Sequence, residues 1–595
     1  MASTLISGIR LPLAALAVIL LLYPILQGDA YTLRLLTISG VYAILAVGYQ
    51  FAFGYAGALS LAHGCFFGLG AYVTAILGAT FGFGFGTTFS LSIALPGFVA
   101  LAVALPVLRL ETHYFALATL GIGQVVLVFA LNWTSVTGGA NGIAGVPPIA
   151  VLGREIEQGW PLLIFVWSIV AVGGALGWQV MRGLYGRAFQ LMRENSLAAL
   201  ALGIDIGNLR LAAFLLSALY AGAAGALYAH AVGVVSPEAL GFPIMVMCLM
   251  MVVIGGRARI SGAVVGAVLL THLPEWFRAL ERSYLIAYGA VTLVAIIAAP
   301  YGIVGAIERI RARFWPECPP PVPDPLRAWA PDETGPAGTP LLEVDDLTIA
   351  FGGVRALDGV HLKIARGEVI GLIGPNGSGK TTLVNLLTGL YRPMRGRIRF
   401  AGCDLARLPS FRIARLGIAR TFQASNLDDD MTVLDNVAVA RFVLERASFT
   451  KALGTGRTDA RLARARGHAM ALLDSLGLRE HAWYRAGDLP QALRSRMEIA
   501  RALALEPHLL ILDEPAAGLS GSDQADLAHR LAALAAGGLT LLVIEHNMSF
   551  LMPLATRVIC LASGRVIAQG APAVVRNDAR VIEVYLGAPA VPAFG

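Results

Sequence analysis

The sequence predicts a multi-domain protein: an all-α polytopic membrane domain of eight to ten spans, followed by a cytoplasmic α/β domain of the P-loop kind. Three observations carry this. Of 595 residues, 56% are hydrophobic and only 14% are charged, whereas soluble domains hold about a quarter charged residues. Long apolar stretches recur up to residue 300 and then stop. Residues Gly374–Thr382 read Gly-Pro-Asn-Gly-Ser-Gly-Lys-Thr-Thr, which fits G-x-x-x-x-G-K-[ST], the loop whose backbone N–H groups wrap a nucleotide's phosphates. The length exceeds that of one domain. The domains read as a membrane domain over 1–315, a linker over 316–340 and a nucleotide-binding domain over 341–595.

In the membrane half, apolar stretches lie near 11–27, 32–53, 57–79, 88–107, 113–132, 160–181, 211–235, 242–256, 261–274 and 284–300. A crossing helix needs about 20 apolar residues, with about 17 as a lower limit. The stretches 242–256 and 261–274 fall short and read as tilted, re-entrant or half-buried pieces. Residues 11–26 read as an uncleaved first span, since no small-x-small cleavage site follows. Arginines Arg182, Arg187, Arg193 and Arg210, with Arg257 and Arg259, place their loops in the cytoplasm by the positive-inside rule. Ten crossings then put both termini inside. Gly64-x-x-x-Gly68 and Gly262-x-x-x-Gly266 are small-xxx-small patterns that let helix backbones approach. His63 and Gln124 within spans, and Glu111, His113 and Asn132 near span ends, read as interhelical or interfacial hydrogen-bonding groups.

The formal charge of +7 is explained by positive-inside loops, and no basic run with interleaved aromatics indicates nucleic-acid binding. Only Lys363, Lys380 and Lys451 occur, and one of them falls at the phosphate-binding position. The five cysteines form no C-x-x-C pair, so neither a disulfide framework nor a metal site is read. Residues 316–340 are rich in Pro, Gly and Asp and read as an extended spacer.

From Leu341 short β-like runs alternate with helical stretches. Val369–Ile373 is the strand that feeds the loop. Gly374, Gly377 and Gly379 permit its tight wrap, with Asn376 and Ser378 between them. Lys380 reaches the β- and γ-phosphates of ATP, the Thr381 hydroxyl ligates Mg²⁺ and Thr382 follows. Leu509–Glu514 reads as a buried strand ending in two acids. Asp513 would hold Mg²⁺, and Glu514 is placed to polarise the attacking water. Leu541–His546 is another strand, and His546 is a candidate partner of the γ-phosphate.

Together these residues resemble the ATP-binding-cassette family. The resemblance implies that Phe351, in Ala-Phe-Gly-Gly-Val, stacks on adenine. It also implies that Gln423, in Ala-Arg-Thr-Phe-Gln, is the glutamine that senses Mg²⁺ and contacts the permease. Gly417–Gln423, Met431–Val437, Ile499–Leu519 and Val581–Gly587 are most similar to the ATPase of branched-chain amino acid importers. Gly54–Tyr72 and Asn132–Gly145 resemble the permease of the same importers, and Arg187–Gly203 resembles their coupling loop. The resemblance implies ATP-driven import across a bacterial inner membrane. It also implies a second permease subunit, a second ATPase subunit and a periplasmic substrate-binding protein. Leucine, isoleucine or valine is the implied cargo, and related systems carry urea, short amides or aromatic acids. Arg193-Glu194-Asn195 followed by Leu197–Leu202 reads as a short amphipathic helix at the cytoplasmic face.

One departure from the family stands out. The signature normally reads Leu-Ser-Gly-Gly-Gln, or Leu-Ser-Tyr-Gly-Gln in this subfamily. Here the aligned stretch is Leu489-Pro490-Gln491-Ala492-Leu493. A serine hydroxyl is lost, a glycine has gained a Cβ, and Pro490 lacks an N–H. A smaller departure is Ser520, where an acid or amide often sits. Since cassettes pair head to tail, this predicts a heteromeric transporter in which the second ATPase supplies an intact signature to this chain's phosphate loop. The alternatives are an exporter half-transporter, disfavoured by the number of spans and the short loops, and a membrane-tethered regulatory ATPase that moves nothing.

Overall fold

The arrangement follows from where apolar length runs out. The computed structural model describes residues 29–108, 112–151, 153–277, 289–290, 292–294, 297–314, 323, 325, 340–422, 427–445 and 457–586. These fall into two compact units, one within Met1–Arg182 and Gly207–Pro320, the other within Gly183–Ile206 and Pro321–Gly595. The boundaries read from the sequence run straight along the chain, whereas the compact units do not. Segment 183–206, numbered within the membrane half, packs with the nucleotide-binding part.

The first unit is built of apolar helices. Among the described residues, six are long and apolar enough to cross a membrane: Ala30–Tyr55, His63–Thr80, Phe85–Val107, His113–Asn132, Trp160–Met181 and Ile206–Val232. The pair Phe242–Gly255 and Ile260–Trp276, bent by 120°, brings the number to seven if it is one span. This is fewer than the expected eight to ten, but the stretch 11–27 and part of 284–300 lie outside the described residues. The two short stretches are thus halves of one bent element.

The bend has a local cause and a distant brace. Gly256 has φ +134° and Ala258 φ +59°, so the helix cannot continue through them. The backbone groups this frees must be satisfied where water is scarce. Fully buried Gln50 does so. Its Nε2 donates to Gly256 O and Arg259 O, each at 2.8 Å, and its Oε1 accepts from Ala258 N at 2.9 Å.

The small-residue patterns act inside this unit. A Cβ on Gly266 would lie 1.9 Å from Met251 O, and one on Gly225 would lie 2.0 Å from Phe67 O. Of the polar groups, His63 is fully buried and spends both ring nitrogens between helices, with Leu45 O at 2.9 Å and Ser217 Oγ at 2.8 Å. Asn132 Nδ2 donates to Val128 O of its own helix at 2.8 Å. His113 and Gln124 are exposed, and Glu111 lies outside the described residues.

Among the described residues, the second unit has two sheets. Six strands run in the order Ile418–Arg420, Leu509–Asp513, Thr540–Ile544, Val369–Ile373, Arg557–Ala562 and Arg565–Gly570. All neighbouring pairs are parallel except the last. The three central strands are buried along their whole length, as expected of a parallel sheet covered on both faces. An antiparallel sheet of Val354–Ala365, Pro340–Phe351, Arg395–Phe400 and Cys403–Asp404 shares its core. Helices Val433–Ala438, Arg457–Ser475 and Gln491–Leu503 pack on one another as a separate helical layer.

Segment 183–206 carries helices Leu184–Glu194 and Ser196–Ala201. The first buries Leu184, Tyr185, Ala188, Phe189, Leu191 and Met192. Full burial of a side chain such as Phe189 is worth about 1.5–3 kcal/mol, which is why the segment belongs to this unit. Asn195 ends the first helix and caps the second, its Oδ1 accepting from Ala198 N at 2.9 Å.

Candidate nucleotide-binding site

The phosphate loop is held in shape by its glycines and by contacts beneath it. Gly374 (φ +151°) follows the buried strand Val369–Ile373, and a Cβ there would lie 2.1 Å from Leu561 O. A Cβ on Gly379 (φ +104°) would lie 2.6 Å from Ala356 O. No other residue fits either position without moving backbone. Ser378 N donates to Pro375 O at 3.2 Å and closes the turn. Helix Lys380–Leu387 then begins, so its unpaired N–H groups face the loop.

Two features mark this loop as an anion cradle. Lys380 is only 7% exposed, and among the described residues its Nζ donates to two loop carbonyls, Gly374 O at 2.7 Å and Pro375 O at 2.9 Å. Burial pushes its pKa below the ordinary lysine value, while the charges of Glu514 and Asp513 pull it back up. The Ser378 Oγ is buried and has no hydrogen-bond partner among the described residues, which fits an acceptor arriving with the ligand. Asn376, Gly377 and Thr381 are exposed, and Thr382 is half-buried.

The acids and the histidine arrive from neighbouring strands. Asp513 pairs in register with Ile544, so the ends of the two strands lie side by side. There His546 Nε2 is 2.8 Å from Glu514 Oε1. Glu514 has φ +51° and donates its N–H to Ile544 O at 2.9 Å. A non-glycine residue held in the left-handed region is strained, and such strain clusters at functional sites. The fold thus sets Glu514 beside His546, and the charges of both acids act on Lys380.

Two more of the expected residues are Phe351 and Gln423. Phe351 is 45% exposed at the end of its strand and meets Tyr391 edge-on, with centroids 5.2 Å apart. Gln423 lies outside the described residues. For Mg²⁺, the Thr381 hydroxyl and the Asp513 carboxylate are the hard oxygen donors the ion prefers. An ion that shares its ligands with phosphates needs only one or two of them from protein.

Several contributors were not read from the sequence. Arg420 donates from Nη2 to Asp513 Oδ2 at 2.8 Å and from Nη1 to Asn385 Oδ1 at 2.5 Å. It thus ties the acidic strand to the phosphate-loop helix. Glu545 is 3% exposed; its Oε1 accepts from Ala516 N at 2.7 Å and its Oε2 from His546 N at 3.2 Å. Burial pushes its carboxyl up. Tyr585 Oη accepts from Gly374 N at 2.8 Å. Tyr585 lies in a stretch whose family resemblance was legible, but nothing local tied it to a loop 211 positions away.

The stretch aligned with the signature opens a helix. Leu489 is buried, Pro490 and Gln491 are exposed, and helix Gln491–Leu503 starts with no side-chain cap. At the second departure, Ser520 caps the next helix. Its Oγ accepts from Asp523 N at 3.3 Å and donates to Asp523 Oδ2 at 2.6 Å, a structural reason for serine there.

Residues 31–300 match the family described as branched-chain amino acid transport system / permease component, residues 357–517 match the ABC transporter family, and residues 565–591 match branched-chain amino acid ATP-binding cassette transporter. The chain is 40% identical over 250 residues to the high-affinity branched-chain amino acid transport ATP-binding protein BraF of Pseudomonas aeruginosa, covering 42% of this chain and 98% of that one. It is 31% identical over 318 residues to the high-affinity branched-chain amino acid transport system permease protein LivM of Escherichia coli, covering 50% of this chain and 75% of that one. A solved nucleotide-free ATP-binding cassette from an ABC transporter is 30% identical and covers 42% of this chain and 100% of its own, with a TM-score of 0.37. The chain belongs to the branched-chain amino acid family of ABC transporters, with a permease component and an ATP-binding component on one polypeptide.

Proposed function

We propose that this chain is the permease–ATPase fusion subunit of a heteromeric importer that uses ATP to bring branched-chain amino acids across a bacterial inner membrane. The observation that carries the reading is the joining, in one chain, of a part similar to LivM and a part similar to BraF. The exporter and tethered-ATPase alternatives are less favoured, because residues 31–300 match an importer permease component.

In this reading Gly374, Asn376, Gly377, Ser378, Gly379, Lys380, Thr381 and Thr382 hold the phosphates of ATP, and Phe351 supports the adenine. Glu514 orients and polarises the attacking water, and His546, 2.8 Å from it, hydrogen-bonds the γ-phosphate. Thr381 and Asp513, with Gln423, would hold Mg²⁺, which neutralises developing charge on the phosphates. The remaining partners are a second permease subunit, a periplasmic substrate-binding protein and a second ATPase. The last is required by the altered signature: paired with itself, this chain would put Pro490 and Ala492 at both ATP sites. Paired with an ATPase of intact signature, it contributes one working phosphate loop. Closure of the pair would then move segment 183–206 and, through it, the spans on either side.

The test is reconstitution of the chain in liposomes with its companion subunits, binding protein and radiolabelled leucine, isoleucine or valine. Binding protein plus cargo should stimulate ATP hydrolysis several-fold and load the vesicles. Hydrolysis without accumulation of any of the three would refute the cargo assignment. Vigorous ATP turnover by the chain purified alone would refute the heteromeric one.

A further inference from the structure

Segment 183–206 is fastened to the nucleotide-binding unit at two points of different chemistry. At its far end, Arg415 Nε donates to Gly203 O at 2.9 Å, on helix Ser410–Arg415, which leads into the sheet strand Ile418–Arg420. At its near end, Arg187 Nη2 donates to Asp435 Oδ2 at 2.9 Å. Asp435 lies on helix Val433–Ala438 of the helical layer, with Thr432 capping that helix by accepting from Asp435 N at 3.1 Å. Arg466, on the long helix Arg457–Ser475, grips the same carboxylate with two parallel bonds, Nε to Oδ1 at 2.9 Å and Nη2 to Oδ2 at 3.0 Å. The Arg466 guanidinium also lies over the Trp483 ring, 5.3 Å from its centroid.

The asymmetry of this triad matters. The side chains of Arg187, Asp435 and Arg466 are 14%, 13% and 12% exposed, so none is in free exchange with water. A buried carboxylate stripped of a cation is strongly penalised, and a bidentate guanidinium fixes direction as well as charge. Arg466 therefore immobilises Asp435 within the helical layer, and Oδ2, which Arg466 also engages, accepts a second cation from elsewhere. That cation comes from a segment whose chain continues on both sides into apolar helices, Trp160–Met181 and Ile206–Val232. Apolar contacts around Phe189 and Tyr185 hold the segment down but are non-directional.

We propose that Asp435, set by Arg466, is a positioning residue for energy coupling: it is the directional latch through which the helical layer pulls on segment 183–206 by way of Arg187. The role rests on the importer reading for its consequence, but not for its existence. If the latch carries the coupling, breaking only the Arg187 arm should separate ATP hydrolysis from transport and leave the cassette folded.

The experiment uses the full chain with companion subunits in lipid nanodiscs and in membrane vesicles. Arg187→Met should raise amide hydrogen exchange across 183–206 at least tenfold, with protection of Lys380–Leu387 and Leu509–Asp513 unchanged. In vesicles it should cut leucine accumulated per ATP hydrolysed at least tenfold while ATP turnover stays within twofold. Arg187→Lys should recover most of both, because this arm makes one bond to Asp435 and one ammonium can replace it. Unchanged exchange in Arg187→Met would overturn the latch. So would exchange that rises with a normal transport-to-ATP ratio, or a proportionate loss of both activities. If the wild type moves no branched-chain amino acid, the cargo assignment falls, while the exchange measurement still decides whether the latch exists.

Discussion

The phosphate loop and the signature stretch are both turns that open a helix, yet one keeps the residues its family motif calls for and the other does not. The difference lies in what holds each turn in place. At Gly374 and Gly379 an added Cβ would strike backbone carbonyls at 2.1 and 2.6 Å. The residues proposed to hold phosphate there are the same ones the fold needs. Around Pro490 the turn is anchored by buried Leu489 and by the Pro490 carbonyl, which accepts from Leu493 N and Arg494 N, while the Pro490 and Gln491 side chains are exposed. Chemistry can leave such a turn while the fold stays, provided another subunit supplies it.

Lys380→Ala is the severest way to break this comparison. It should cut ATP turnover of the assembled transporter at least 100-fold and abolish uptake, measured by phosphate release and leucine accumulation. Normal uptake would mean that the working site lies elsewhere. Glu514→Gln should come next, lowering turnover by about 10²–10⁴-fold, the usual contribution of a general base, while fluorescent ATP still binds.

The helical layer that carries the signature offers a third test, because Asp435 sits on a helix packed against Gln491–Leu503. Burial alone would raise the Asp435 pKa, but Arg187 and Arg466 hold it well below the usual carboxylate range. A carboxyl depressed in the folded state stabilises the fold above its unfolded value, near pH 4, and that contribution is lost as pH falls toward the folded value. Asp435→Asn should therefore cost about 3 kcal/mol at pH 7, and its gap from wild type should narrow below pH 4. Thermal unfolding across that range checks both statements.

Two smaller changes refine the contrast. Tyr585→Phe leaves the Gly374 N–H without its acceptor and should weaken ATP binding about fivefold, worth about 1 kcal/mol, with the fold intact; titration with fluorescent nucleotide measures it. Pro490→Ser restores a hydroxyl but not the neighbouring glycine, and should change turnover less than twofold. A large gain would show that proline alone disables the signature.

What the sequence determined by itself was local. Apolar runs of spanning length, the glycine-lysine loop, the buried strand ending in Asp513 and Glu514, and the altered signature are each written in contiguous residues, because periodicity and phosphate binding act over a few positions. The bent pair was legible as two short stretches. Only the tertiary structure decided that Gln50 braces that bend from 206 positions away, that Arg420 holds Asp513 across 93, and that Arg187 reaches Asp435 across 248. It also decided that segment 183–206 packs with the cassette rather than with the helices that flank it in the chain. For the three polar contacts the physical reason is the same. A buried polar or charged group must find a partner wherever the fold brings one, and the chain order of those partners leaves no trace in local composition.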